Sequence, residues 1–247
     1  LDRVARPPAP RAGVHLDLWW GLNRAPHVLD DVYWTMRYYF TADGDHDRDW
    51  ERAGIRHFFS APAVYGPECV PGRFRAEWAS DVAFIGSWQV YVHNEHWPVR
   101  RQILSYTRER FGNAFQCWPR EGHGAVRSRN LNDLLASVKV VVGDSCLAAQ
   151  SRLYHSDRVW ETVGRGGFIV HPWIEGLAEM LPEGFGVAYY PPGDVDAMGD
   201  LIERWRNDDA GRAEAVARGQ AYVRDNHTYM HRMAAVIDTL RAEGAFA

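Results

Sequence analysis

The sequence predicts an α/β protein with parallel sheets in two lobes, the first lobe compact or truncated. Three observations predict it. Short apolar runs alternate with amphipathic segments between residues 82 and 190, as when helices cover both faces of a sheet. One run, Val138 to Val142, is almost continuously apolar, which fits a strand buried on both sides. A proline-rich stretch over residues 61–80, with Pro62, Pro67, Pro71 and Gly72, interrupts the alternation. It divides the chain into residues 1–80 and 81–247. The 247 residues suit one large unit or two small ones, and 46% hydrophobic content supports a sizeable core.

Residues 1–12 carry Pro7, Pro8 and Pro10 and read as a tail or connecting segment. Val14 to Trp20 alternates apolar residues with His15 and Asp17, the pattern of a strand. The aromatic end of Val32 to Thr41 reads as a second strand. Asp47 to Ala53 reads as a helix closing at Gly54, and Ile55 to Phe59 as a third strand. These units are few, so the first lobe should have the smaller core. The proline-rich linker is expected to let the lobes move.

Beyond the linker, Val82 to Ile85 is a strand that ends sharply at Gly86-Ser87. Pro98 to Gly112 is a helix with Pro near its start and Gly at its end. Phe115 to Trp118 is a strand, Asn130 to Ser137 a helix and Val138 to Val142 a strand. Ser156 to Val170 then gives a short helix, a glycine turn and a buried strand. Ser156 suits the N-cap, and Asp157 suits the positive end of the helix dipole. Gly164, Gly166 and Gly167 can end the helix with positive φ. Leu177 to Leu181 is a short helix and Gly186 to Tyr190 a strand. Val195 to Asn207, Ala210 to Asn226 and Met230 to Arg241 are the last helices.

Composition narrows the function. A net charge of −4 disfavours a general polyanion binder and leaves room only for a local basic groove. Lys139 is the only lysine, so the cations are nearly all arginine. Cys69, Cys117 and Cys146 lie far apart without a CxxC, which favours reduced thiols and a cytoplasmic location over a disulfide framework. No apolar run approaches the roughly 18 residues of a membrane span, and no signal peptide is visible. The chain begins at Leu1, so a preceding segment is an open question.

Several motifs are excluded. GxSxG, the Walker A lysine and GxGxxG are missing. Asp43 to Asp49 looks like a calcium loop, but Arg48 stands where the required Gly belongs and Gly54 where the Glu belongs. It reads as a helix-capping acidic turn. His227 and His231 are spaced as metal ligands on a helix, yet no third ligand accompanies them, so a structural role and no metal are expected.

Two clusters suit a phosphate. At one, the helix start at Ser156 is joined by Arg158, a fixed cation, with Glu161 as an acceptor for sugar hydroxyls. At the other, Gly86-Ser87 lets backbone approach an anion that Arg100 or Arg101 could clamp. The plain alternatives are a capped surface helix with a salt bridge, and two solvated arginines. Trp118 would either stack on a base or fill the core. His15 and Asp17, two apart, share one face of their strand; capping or core hydrogen bonding is their structural alternative.

The order R-x-x-E-x-x-x-x-G-strand, from Arg158 through Glu161 to Gly166, then Gly193 to Met198, then Asn226 to Arg232, resembles the C-terminal half of GT-B glycosyltransferases. The nearest likeness is to the CgeB-like, spore-maturation branch. It covers roughly residues 82–240 well and 13–81 loosely. The resemblance implies a GT-B fold of two Rossmann-like lobes. Residues 1–80 would be a partial acceptor-side lobe with linker, and 81–247 the nucleotide-sugar-binding lobe. It implies metal-independent hexosyl or pentosyl transfer from a nucleotide-sugar co-substrate, with no cofactor. Gly86, Ser87, Arg100, Arg101, Trp118, Ser156, Arg158 and Glu161 would bind the donor, and His15 or Asp17 would supply a catalytic base. Such enzymes often carry E-x7-E; here Glu161 matches the second acid, but Leu153 stands at the first. The acceptor could be a glycan, protein, small molecule or modified DNA base. The rival readings are a DNA-base sugar transferase using Arg127 and Arg129, and a non-catalytic nucleotide-sugar-binding or assembly module.

Overall fold

A computed structural model describes residues 11–16, 36–42, 44–88, 98–120, 124–145 and 151–245. It contains two separate parallel sheets. The first is formed by β1 (Ala12–His15), β2 (Tyr38–Thr41) and β3 (Arg56–Phe59), in that order, with α1 (Asp47–Arg52) between β2 and β3. All four residues of β2 are buried, because the strand is covered on both faces. Tyr39 packs on Trp50 of α1, with ring centroids 5.9 Å apart. Tyr38 and Phe40, pointing the other way, meet Val236 and Leu240 of the last helix, α8 (Tyr229–Ala242). The end of the chain therefore returns to cover the first sheet.

The second sheet has five parallel strands in the order β5-β4-β6-β7-β8. They are β4 (Ser80–Ile85), β5 (Phe115–Trp118), β6 (Val138–Val142), β7 (Ile169–Pro172) and β8 (Val187–Tyr190). Side chains alternate between two cores. Val82, Phe84, Val140, Val142 and Val170 pack against α2 (Pro98–Phe111) and α6 (Val195–Asn207). Ala83, Val141, Ile169 and Val187 pack against α3 (Arg129–Leu135), α4 (Arg158–Gly164) and α5 (Glu175–Met180). α7 (Asp209–Asn226) adds Val223 to the second core. Two cores of this size, one per face, explain why these strands read as apolar throughout. No helix of the described residues is long and apolar enough to cross a membrane.

The linker differs from expectation. Prolines at 62, 67 and 71 led us to expect a mobile connection, but residues 66–75 are bonded to α3. Asn132 Nδ2 donates to the Glu68 carbonyl at 2.8 Å and the Val70 carbonyl at 2.7 Å. The Asp133 carboxylate accepts from the Arg73 amide and, at 2.6 Å, from the Arg75 guanidinium. A Cβ on Gly72 would lie 1.9 Å from the Asn132 carbonyl oxygen. Proline removes backbone donors but leaves carbonyls in need of partners, and the side chains of α3 supply them. The segment just before it crosses between lobes beside the start of α8. Val64 bridges Thr228, and Arg232 donates to the carbonyls of Ala61 and Pro62.

Three histidines are buried in the second lobe or at this crossing. His155 accepts from Trp160 Nε1 at 3.0 Å, His227 stacks on Trp160 at 4.5 Å, and His171 sits at the end of β7. His231 caps α8 through Thr228. The pair at 227 and 231 is thus used in stacking and capping.

Burial, joined at His155 and His227 by the Arg232 charge, pushes His155 down to about 3 and His171 and His227 to about 4. Each folded pKa lies below the unfolded value, so the unfolded chain binds protons first. Stability is full above the ordinary histidine range and is lost as pH falls through it. Between pH 7 and 5 the loss is about 2 kcal/mol per histidine. Urea unfolding at the two pH values should show it. Replacing His155 with Gln should reduce the pH dependence by roughly a third, on equal weighting of the three.

Candidate functional site

The order of the second sheet fixes where a ligand can sit. The chain runs outward from β4 to β5, then returns past β4 to β6 and continues to β8. At such a reversal the crossover helices lie on opposite faces, and a crevice opens outside the carboxyl ends of the two central strands. Here those ends are Gly86-Ser87 after β4 and Gly143-Asp144-Ser145 after β6.

Gly86 has φ +152°, a conformation that side chains rarely adopt, and a Cβ there would lie 2.6 Å from Arg158 Nη2. Arg158 needs that space. Its guanidinium lies 4.7 Å from the centroid of the Phe84 ring and pairs with the Asp144 carboxylate. Arg100 reaches the same carboxylate from α2, with Nε 2.6 Å from Oδ2, and also donates to the Ser87 carbonyl at 3.2 Å. Asp144 is thus buried between two arginines directly beneath the Gly86 turn. Burial alone would raise its pKa, but Arg158 and Arg100 outweigh burial and hold the carboxyl below its ordinary value. Arg158, the less buried of the two cations, keeps part of its guanidinium exposed beside the Gly86 turn.

Beside this cluster is an apolar slot of about 240 Å3, lined by Ile85, Gly86, Ser87, Trp88, Trp118, Pro119, Ala125 and Val126. Trp88 Nε1 donates to the Pro119 carbonyl at 2.9 Å, which fixes the indole as a wall. Trp118 is both core and wall. It is buried against Trp78, carries Arg120 over its ring at 4.4 Å, and still borders the slot.

The other expected site residues are distributed as follows. Ser87 is exposed at the crevice and Arg101 is exposed on α2, whereas Arg100 is buried. Ser156 Oγ accepts from the Arg158 amide at 3.3 Å, although the N-cap position itself is Asp157. Glu161 does not join Arg158. It pairs with Arg165, which also bonds Glu68 and Asn132. Burial raises the Glu161 pKa despite that arginine. His15 ends β1, in register with Thr41. Asp17 lies outside the described residues.

Three residues at this site escaped the sequence reading: Trp88, Gly143 and Asp144. A Cβ on Gly143 would lie 2.6 Å from His171 Cδ2, so both crevice turns need glycine for close approach. The signal was present, since Gly143-Asp144 follows β6 as Gly86-Ser87 follows β4.

Removing the shared carboxylate takes the common anion from two largely buried cations. Asp144→Ala should therefore cost about 3–5 kcal/mol of stability, the range for breaking one partner of a buried pair. Denaturant unfolding at pH 7 measures it; a cost under about 1 kcal/mol, typical of an exposed pair, would refute the buried cluster.

Comparison with known proteins follows the same lines. A search among curated proteins finds no significant match. Among solved structures, sucrose-phosphate synthase from Thermosynechococcus elongatus aligns with a TM-score of 0.63 at 12% identity, over 94% of this chain and 68% of that one. Anabaena HepE, solved in complex with UDP-glucose, gives 0.64 at 11% identity, over 94% and 72%. The UDP-forming α,α-trehalose-phosphate synthase from Burkholderia vietnamiensis gives 0.57 at 16% identity, over 93% and 66%. The chain thus spans about two thirds of each. At such identities the likeness is one of fold, and the fold is GT-B, with Rossmann-like lobes and a compact first lobe. The sequence profile for glycosyl transferase-like proteins matches residues 78–238, well over half of the chain, so the chain belongs to the glycosyl transferase-like family.

Proposed function

We propose that this chain transfers a sugar from a nucleotide-activated donor, most simply a UDP-sugar, to a hydroxyl acceptor. The observation that carries this reading is the pairing of the Arg100–Asp144–Arg158 cluster with an adjacent apolar slot at the switch point of the second sheet. A diphosphate needs fixed positive charge and close backbone approach; Arg158, Arg100 and the Gly86-Ser87 turn supply both. A nucleobase needs a flat apolar slot, and Trp88, Trp118 and Val126 supply it. UDP and UDP-glucose in the HepE complexes support uracil as the base.

In this reading residues 81–247 hold the donor and residues 1–80 the acceptor side, with α8 returning to the first sheet. The acceptor oxygen attacks the anomeric carbon, the bond from that carbon to the diphosphate breaks, and the nucleoside diphosphate leaves. The arginines stabilise the charge that develops on it, so the chemistry is metal-independent. Ser156 orders the start of α4, and Glu161 keeps Oε1 for a ribose hydroxyl while Oε2 serves Arg165. Arg101, on the solvent side of α2, is at most a peripheral contact. The base that takes the acceptor proton comes from the first lobe, with His15 and Asp17 as candidates. We place the chain in the CgeB-like branch on the order of its motifs, and in the cytoplasm, where nucleotide sugars are made.

Arg158→Ala should weaken UDP-glucose binding by about ten- to a hundred-fold, the worth of one charge-assisted phosphate contact. Calorimetric titration of the parent and the variant, with GDP- and ADP-glucose as controls, measures it. A parent that binds none of the three, or a folded Arg158→Ala protein that binds UDP-glucose like the parent, would remove the donor site from this crevice.

A further inference from the structure

The acidic turn that fails as a calcium loop has another use. Asp45 follows β2, at the carboxyl end of the first sheet, and its side chain crosses to the second lobe. Oδ2 accepts from Ser151 Oγ and, at 3.1 Å, from the Leu153 amide; Oδ1 accepts from the Arg152 amide at 3.2 Å. Leu153 is wedged between the lobes. One of its methyls would lie 2.6 Å from a Cβ on Gly44, and the other 2.7 Å from one on Gly176. Residues 151–153 belong to the connection between β6 and α4, five to seven residues ahead of Arg158.

The bonding of this loop is divided between the lobes. Its carbonyls are satisfied by the second lobe: the Gly176 amide donates to the Arg152 carbonyl at 2.8 Å, and His155 Nδ1 donates to the Leu153 carbonyl at 2.9 Å. The Arg152 guanidinium also grips Glu175 through two bonds of 2.8 and 2.6 Å. Its amides at 152 and 153 point the other way, toward a carboxylate of the first lobe. Backbone donors need an acceptor, and a charged one makes the stronger bonds.

We propose that Asp45 is a positioning residue, which holds the loop leading to the donor site from the opposite lobe. The inference rests on the donor reading given above. Its consequence is that loop order and lobe apposition are coupled: separating the lobes removes the carboxylate from two amides and a hydroxyl at once, and leaves the Leu153 amide only its longer bond of 3.3 Å to Ser151 Oγ. Leu153, at the position of an acid in related enzymes, then serves as an apolar plug against Gly44.

Amide exchange on the whole chain, without ligand, tests the tie. Asp45→Ala should speed exchange over residues 151–155 by roughly fivefold, as expected for losing about 1 kcal/mol of local protection. Asp45→Asn, which keeps an acceptor oxygen without the charge, should restore part of the protection. Asp49→Ala, which removes a neighbouring acid whose carboxylate pairs, among the described residues, with His46 and Arg52, should leave the loop unchanged. Unchanged exchange in both sheets confirms that each variant folds. With UDP-glucose, Asp45→Ala should raise the Kd several-fold and Asp45→Asn less. Unaltered loop exchange in Asp45→Ala overturns the tie, and faster loop exchange with unaltered UDP-glucose affinity overturns the positioning role. A parent that does not bind UDP-glucose sinks the donor reading instead, and the ligand-free arm still decides whether Asp45 holds the loop.

Discussion

A carboxylate shared by two arginines sets the geometry of the crevice. Asp144 is fully buried, and a buried carboxylate is tolerated only when opposite charge and hydrogen bonds surround it. Arg100 arrives from α2 and Arg158 from α4, so the pair joins the two faces of the sheet at its carboxyl edge. Phe84, on β4, lies under both guanidinium groups. The Gly86 turn can pass over Arg158 because it has no Cβ. Each of these features depends on the others: without Asp144 the arginines would repel, and with a side chain at 86 the second arginine would be displaced.

Most of the fold was legible in the sequence because its elements carry strong local signals. Val138 to Val142 and Val195 to Asn207 match the structure to the residue. The first is a continuous apolar run that only a doubly covered strand needs, and the second opens on Asp194, whose side chain caps it. What was not legible is long-range. Nothing in Tyr229 to Ala242 says that it will cover Tyr38 and Phe40, some two hundred residues earlier. The linker misled for a related reason. Proline content reads as freedom when the partners are not visible, and the partners here, Asn132, Asp133 and Ser137, lie some sixty residues away on and just after α3.

The site was legible by type and illegible by partner. Arg158 was picked for its place at a helix start and Gly86 for its place after a strand, and both meet at the switch point. Glu161 was picked by motif position, but the sequence does not reveal that Arg165, one turn later, will take one of its oxygens. Arg100 and Arg101 could not be told apart without knowing which face of α2 turns inward. Asp144 was overlooked because a lone acid after a strand has no distinguishing pattern. Its role comes from two arginines that lie 44 residues before it and 14 residues after it.

The same division runs through the loop that precedes α4. Its carbonyls at 152 and 153 are satisfied by its own lobe, while its amides at 152 and 153 reach Asp45 of the other. The linker, which would be the natural place for a free hinge, is fastened along α3, and the crossing at Ala61 to Val64 is tied in turn to His227 to Arg232. Arg232 bonds two carbonyls there and also lies over the ring of Trp160, the residue next but one to Arg158. The crossing thus contacts α4 through packed rings, and Asp45 contacts the loop ahead of it, so both ends of one short segment, residues 151–164, are held by residues from outside it.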